Sequence, residues 1–207
     1  MTLAILILLA YLLGSIPTAV WYGKTFHKID VREHGSGNAG ATNTLRILGN
    51  KAGFIVLFID LLKGFLASSL IYFSAIEVEP QNHFNFQMAL GVTAVLGHVY
   101  PIFAGFKGGK GIATILGMCI ALNWQIALIC IVVFVTIVAI TKYISLGSMI
   151  TAGIGAILSF YFYNNNVIAN CFFCAIAILV VYTHRTNITR LKAGTENKLS
   201  FKKKENQ

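Results

Sequence analysis

Charge is what this chain has least of. Only 11% of its 207 residues are Asp, Glu, Lys or Arg, and 57% are hydrophobic. A soluble domain carries about 25% charged residues, so this chain has too few to cover a water-exposed globule. Acidic residues are the scarcer sign, 7 against 16 basic. No His and acid cluster with metal-ligand spacing appears, so neither a metal nor another cofactor is expected. The N-terminal apolar run lacks a basic n-region and an Ala-x-Ala-like cleavage site, which reads as a retained helix and not a signal peptide. The stretch Phe106-Lys-Gly-Gly-Lys-Gly111 lacks two parts of a Walker A loop: Ala104 replaces its first glycine and Gly111 its Ser or Thr. A nucleotide triphosphatase is therefore disfavoured. Cysteine is confined to Cys119, Cys130, Cys171 and Cys174, all within apolar segments. Cys171 and Cys174 have redox-motif spacing, but the two phenylalanines between them read as helix packing. The net charge of +9 does not imply nucleic acid; basic loops orient membrane proteins and touch anionic lipid, the reading given to Lys202-Lys-Lys204.

What the chain does have is long apolar runs. A helix needs about 20 apolar residues to cross the hydrocarbon. Segments Leu3 to Tyr22, Gly53 to Ile76, Phe86 to Phe103, Ile112 to Leu122, Gln125 to Thr141, Leu146 to Tyr163 and Val167 to Thr183 are read as spans, separated by turn-prone or charged residues. The expectation is an all-α integral membrane protein, one multispan domain over 1–207 with a basic cytoplasmic tail at 198–207. Seven transmembrane helices result. Because Ile112 to Leu122 is short, five spans with re-entrant segments is the alternative. With the N-terminus outside, alternation places every Lys and Arg except Lys63 on the cytoplasmic side, along with the C-terminus, while the outer loops carry Glu77 and Glu79 and no basic residue.

That topology also puts three polar stretches on the cytoplasmic face: Gly35-Ser-Gly-Asn-Ala-Gly-Ala-Thr-Asn43, the Phe106–Gly111 stretch, and His184-Arg-Thr-Asn-Ile-Thr-Arg-Leu191. They are expected to assemble one phosphate-handling site. In the first, Gly35, Gly37 and Gly40 permit positive φ and an anion-binding nest of amide hydrogens. Ser36, Asn38, Thr42 and Asn43 add side-chain donors. Residues Thr44 to Leu48 are expected to form a short helix closed by Gly49-Asn50, with its N-terminus toward the anion and Arg46 supplying a bidentate fork. In the second, Lys107 and Lys110 are point charges suited to phosphate, and the preceding Gly97-His98-Val-Tyr-Pro101 adds His98, a ligand or a helix-packing partner. In the third, His184 and Asn187 share one helix face, Arg190 lies a turn on, and Glu196 after Gly194 either orients a base or pairs with an arginine. Ser145 opens the sixth span as an N-cap or a phosphate ligand. Asp60 and Lys63, three apart within the second span, are expected to form an intramembrane ion pair.

Taken in order, the Gly35–Gly49 stretch, Asp60-Leu-Leu-Lys-Gly64, Gly97–Pro101 with Phe106-Lys-Gly-Gly-Lys-Gly-Ile-Ala-Thr114, and His184–Leu191 with Gly194 and Glu196 resemble the bacterial acyl-phosphate glycerol-3-phosphate acyltransferases, the PlsY type. Departures from the family's pattern are small: Tyr100 stands for the usual Phe, Ile112 for Val and Lys142 for Arg. The resemblance implies an enzyme of phospholipid biosynthesis in the bacterial cell (inner) membrane, with its active site facing the cytoplasm. It would move a fatty acyl group from acyl phosphate to the 1-hydroxyl of glycerol 3-phosphate, giving lysophosphatidic acid and phosphate. It would also place Ser36, Arg46, Lys107, Ser145, His184 and Asn187 around the two phosphates and the reacting hydroxyl.

Acyl phosphate is already activated, so the protein has to position the hydroxyl and stabilise developing charge, without a covalent nucleophile. Either the leaving phosphate takes the hydroxyl proton, or His184 acts as general base with Glu196 as its orienter. No His has Asp five positions later, which disfavours the His-x4-Asp acyltransferases and, with them, acyl-CoA or acyl carrier protein as direct donor. A phosphate transporter would need polar groups on both membrane faces and repeat symmetry between halves, neither of which is present.

Overall fold

The computed structural model describes residues 2–74, 79–164 and 166–199. Glu77, the end of the second span at Ile76, and Lys202, Lys203 and Lys204 lie outside the described residues. Every regular element among those described is helical: α1 (Leu3–Ser15), α2 (Thr18–Tyr22), α3 (Ala41–Leu48), α4 (Asn50–Ser69), α5 (Pro80–Val99), α6 (Ile112–Leu122), α7 (Trp124–Thr141), α8 (Ile144–Phe162), α9 (Val167–Thr183) and α10 (Arg185–Lys192). An all-helical answer follows from the solvent, because in hydrocarbon a helix satisfies its backbone hydrogen bonds within one segment.

Four stretches are long and apolar enough to cross a membrane, namely Asn50–Phe73, Asn82–Ala104, Trp124–Thr141 and Ile144–Phe162. Two bent pairs, Leu3–Ser15 with Thr18–His27 and Val167–Thr183 with Arg185–Lys192, raise the count to as many as six. The eleven residues of α6 rise only about 16 Å at 1.5 Å per residue, well short of a hydrocarbon core of about 30 Å. The first run, read from sequence as one continuous span, is broken: it bends by 43° between Ser15 and Thr18, where Pro17 has no N–H to continue the ladder.

The chain forms two compact units that meet in sequence at Leu122 and Asn123. In the first, α1 lies along α5 and α4 along α6. Both pairs approach backbone to backbone: a Cβ at Gly64 would strike the Thr114 carbonyl of α6, and one at Gly117 the Leu61 carbonyl of α4. Small residues at such crossings let dispersion drive helix association where lipid removes the hydrophobic advantage. Leu6 and Ala10 of α1, Ala67 of α4, and Leu90 and Ala94 of α5 close one buried cluster. A second cluster of Ala19, Val20, Val31, Ala39 and Val56 seats the connection between α2 and α3 on α4, and that connection carries the first glycine stretch.

The buried charges inside this unit are paired. Asp60 Oδ1 lies 2.9 Å from Lys63 Nζ and accepts a hydrogen bond from Thr18 Oγ1 at 2.9 Å. Lys63 Nζ also donates to the Ile16 carbonyl at 3.0 Å, so the α1–α2 break is held by a side chain from α4. His98 Nδ1 stands 3.7 Å from Asp60 Oδ1, too far for a hydrogen bond. The expected ion pair is present.

In the second unit α8 packs against both α7 and α9. Asn123 caps α7 by accepting from Ile126 N at 3.0 Å, and Asn166 caps α9 by accepting from Ala169 N at 3.0 Å, as short polar side chains do at helix starts. The four cysteines are free thiols.

Candidate active site

Each unit carries its own polar assembly. In the first, the glycine stretch folds back on the start of α3. Gly35 and Gly37 have φ of 61° and 73°, and a Cβ at Gly35 would meet Asn43 Oδ1 at 2.5 Å, so that tight turn accepts only glycine. The helix expected over Thr44 to Leu48 begins three residues earlier, at Ala41, with Gly40 as an extended N-cap residue and no side-chain cap. The extra turn draws Thr42 and Asn43 into the helix.

Asn43 then ties the loop together. Its Oδ1 accepts from Ser36 N at 2.9 Å and Ser36 Oγ at 3.1 Å. Its Nδ2 donates to the Val31 and His34 carbonyls at 2.8 and 3.1 Å. Both of its amide hydrogens are engaged within the loop in this structure. The nest is partly spent too: Ser36 N goes to Asn43, and Gly37 N to the His34 carbonyl at 3.1 Å. Arg46, exposed, extends from α3 with Nη1 3.5 Å from Asn43 Oδ1, close to Ser36's own partner. Asn38 and Thr42 are half-buried.

The lysine loop is pinned at its base. Gly108 N and Gly109 N donate to the Val99 and His98 carbonyls, each at 3.2 Å. His98 is buried, and a Cβ at Gly109 would strike its Nε2. His98 thus lies beneath the loop. Lys107 is exposed and Lys110 half-buried.

Arg32, which the sequence reading passed over, grips the same loop from above. Its Nη1 donates to the Ala104 carbonyl at 2.8 Å, while Nε and Nη2 fork onto Asp30 Oδ1 and Oδ2 at 3.0 and 2.7 Å. The Arg32 guanidinium holds the Asp30 carboxyl well below the usual carboxylate range, with Lys24 contributing at 3.2 Å. Asp30 in turn raises Arg32. The available signal was a lone Asp two residues before an Arg, in a chain poor in acids, at the edge of a glycine loop. A cleft of about 540 Å³ opens here, lined by Arg32, Glu33, Gly37, Gly105 and Lys107 among others, within the size range of small-ligand sites.

In the second unit the hub is a carboxylate. Glu196 Oε1 accepts from Ser145 Oγ at 2.8 Å and from Asn187 Nδ2 at 2.7 Å, and Oε2 lies 3.2 Å from Arg190 Nε. The segment bearing Glu196 is held against α8: Leu199 N donates to the Lys142 carbonyl at 2.7 Å, and Lys198 Nζ sits 5.7 Å from the Tyr143 ring centre. Of the two readings of Glu196, the arginine pairing is present. Ser145, at the start of α8, is a donor to that carboxylate and makes no cap.

His184 occupies the 59° bend between α9 and α10 and is buried. Its Nδ1 lies 2.8 Å from the Val180 carbonyl. A carbonyl can only accept, so the geometry assigns a proton to Nδ1. The group that orients this imidazole is therefore a backbone carbonyl.

Comparisons with known proteins agree on one relationship. The family model described as glycerol-3-phosphate acyltransferase matches residues 4–194. A curated relative from Bacillus cereus, glycerol-3-phosphate acyltransferase 2, is 46% identical over 204 residues, covering 99% of this chain and 98% of its own. Two crystal structures of PlsY (YgiH), an integral membrane glycerol 3-phosphate acyltransferase, are 36% identical and cover 96% of both chains. One is a glycerol 3-phosphate form, with TM-score 0.83, and the other a lysophosphatidic acid form, with TM-score 0.82.

Proposed function

Because the chain belongs to the glycerol-3-phosphate acyltransferase family, we propose that it acylates glycerol 3-phosphate at the sn-1 hydroxyl, with a fatty acyl phosphate as donor, on the cytoplasmic side of the bacterial cell membrane. The hydroxyl oxygen of glycerol 3-phosphate bonds to the acyl carbon. The bond from that carbon to the phosphate oxygen breaks, and the hydroxyl proton leaves on the departing inorganic phosphate. Lysophosphatidic acid is the other product, and neither acyl-CoA nor acyl carrier protein donates directly.

The observation that carries this reading is the state of Ser36. Its hydroxyl donates to Asn43 Oδ1, an amide oxygen too weakly basic to turn serine into an alkoxide nucleophile. That favours direct transfer between substrates over an acyl-enzyme, and direct transfer needs a donor already activated. The roles follow from the chemistry. Arg46, Lys107 and the uncapped start of α3 neutralise phosphate oxygens, with Lys110 and Arg190 as further cations. In the first unit, Ser36 turns its hydroxyl from Asn43 to the developing charge when substrate binds; in the second, Asn187 contributes an amide donor. Gly35, Gly37 and Gly40 bring backbone close to it. His184, through Nε2, orients the attacking hydroxyl, and Ser145 contacts phosphate while Glu196 positions it. Thr42 and Asn38 line the first loop.

The test is acyl transfer by purified protein in detergent, with palmitoyl phosphate or palmitoyl-CoA, labelled glycerol 3-phosphate and a chelator. 1-Acyl product from acyl phosphate alone is expected. Product from the CoA ester at a comparable rate overturns the donor, and 2-acyl product overturns the regiochemistry. His184→Gln should retain appreciable, weakly pH-dependent turnover if phosphate takes the proton, whereas loss of the chemical step with substrate binding intact makes His184 the base.

A further inference from the structure

Arg32 belongs to none of the three glycine stretches, and the proposed reaction gives it no substrate. Its guanidinium is nonetheless committed on every side. Two nitrogens fork onto Asp30, whose Oδ1 also accepts from Arg32's own backbone N at 3.0 Å. The third donates to Ala104 O at 2.8 Å and lies 3.5 Å from Lys107 O. Asp30 is therefore the orienter, and the two carbonyls are the load. Both carbonyls belong to the connection between α5 and α6, and Asp30 and Arg32 to the connection between α2 and α3.

What Arg32 holds is a loop in a disfavoured conformation. Gly105 and Phe106 have φ of 63° and 59°, the left-handed region that a bulky residue such as Phe avoids. Phe106 is also 57% exposed, so packing does not compel that geometry. At the base, the loop is tied by Gly108 N and Gly109 N to Val99 and His98. At the tip, beside the loop's own Phe106 N to Pro101 carbonyl bond at 2.9 Å, the Arg32 bonds to the carbonyls flanking Gly105 and Phe106 reach in from outside the loop. Lys107 follows directly and lines the cleft.

We infer that Arg32, aimed by Asp30, is a positioning residue for Lys107: it fixes the left-handed turn and so the direction in which the lysine ammonium meets a substrate phosphate. This deepens the proposed function and rests on its assignment of Lys107. Lysine cannot replace the fork, because one ammonium cannot grip Asp30 bidentately and reach Ala104 in the same plane.

The test is a double-mutant cycle on the purified full chain, reading kcat/KM for glycerol 3-phosphate alongside thermal unfolding in detergent. Arg32→Lys keeps the charge and is expected to lower kcat/KM about tenfold or more, with Asp30→Asn falling between it and the parent. In a Lys107→Ala background, the same Arg32→Lys change should cost less than about threefold, since the group it positions is gone. Full additivity of the two losses, with Lys107→Ala itself damaging, overturns the positioning role and leaves Lys107 in the reaction. Lys107→Ala without effect overturns both the positioning role and the reading it rests on. An Arg32→Lys loss that merely follows a lowered unfolding temperature, equal in both backgrounds, makes Arg32 a structural tie and also overturns the inference.

Discussion

Replacing Lys63 by Met isolates what the buried network between α1, α4 and α5 contributes. The Lys63 and Asp60 side chains are 4% and 2% exposed, so neither charge is relieved by solvent. Lys63→Met removes the cation 2.9 Å from Asp60 Oδ1 and the donor 3.0 Å from the Ile16 carbonyl. Asp60 is left with the Thr18 hydroxyl, and His98 at 3.7 Å is beyond hydrogen-bonding range. Breaking one partner of a buried ion pair costs about 3–5 kcal/mol, most of it the uncompensated charge left behind. At about 2–4 °C per kcal/mol for a chain of this size, the unfolding temperature should fall by about 6–20 °C. The double replacement Asp60→Asn with Lys63→Met removes both charges and should recover more than half of the loss, because a neutral pair in place of an ion pair is often nearly neutral to stability. The assay is thermal unfolding of purified variants in one detergent, followed by intrinsic fluorescence and by reactivity of the half-buried thiols. A single variant within about 1 kcal/mol of the parent, or a double variant as unstable as the sum of the two single ones, refutes the argument that the network is organised around charge.

Three further outcomes follow from the loops. Glu196→Ala removes the acceptor shared by Ser145 and Asn187 and the partner of Arg190; kcat/KM should fall about 100-fold or more, as expected when a buried charge-assisted network is opened, and Glu196→Gln, which keeps the Oε1 acceptor, should lose distinctly less. Gly109→Ala places a Cβ on the His98 ring and should impair turnover strongly, whereas Gly105→Ala meets nothing within 4 Å and should cost only the strain of its left-handed backbone, about 1 kcal/mol in stability. Asp30 is held below its ordinary carboxylate value by Arg32, so its stabilising contribution is complete above the unfolded-state value of about 3.9 and is lost only as pH falls through the lower folded value; comparing the unfolding temperatures of the parent and Asp30→Asn should give a difference that is constant from pH 5 to pH 9 on the order of experimental error, and a difference that shrinks across that window contradicts the clamp.

Much of the fold was legible because the bilayer imposes it. A run such as Trp124–Thr141 must be helical, whatever its neighbours, to satisfy its backbone in lipid. The break at Pro17 was signalled by the proline itself and lost among the apolar residues around it. Glycine placement marked the loops correctly, since Gly35 and Gly37 do take positive φ. What the loops do with their donors was not legible. An amide's chemistry is visible in the sequence at Asn43, while the Val31 and His34 carbonyls to which it donates are set by the turn. Ser145 and Glu196 are 51 residues apart, and no local spacing rule pairs them.

The scarce carboxylates show why composition was nevertheless informative. Asp30 gathers Arg32 and Lys24; Asp60 gathers Lys63 and Thr18; Glu196 gathers Arg190, Ser145 and Asn187. Each is occupied by donors, and each holds together segments far apart or awkwardly bent. Of the three, Asp30 is held well below the usual carboxylate range by Arg32, and a carboxylate so held makes a poor proton acceptor. A reaction between two phosphate-bearing substrates benefits where carboxylates are paired with cations, because the pairing offsets their repulsion of phosphate; at the cleft, Arg32 and Lys107 stand beside Glu33, the exposed carboxylate that lines it. That is the electrostatic setting in which a leaving phosphate, instead of a protein acid, becomes the natural destination for the hydroxyl proton in the proposed transfer.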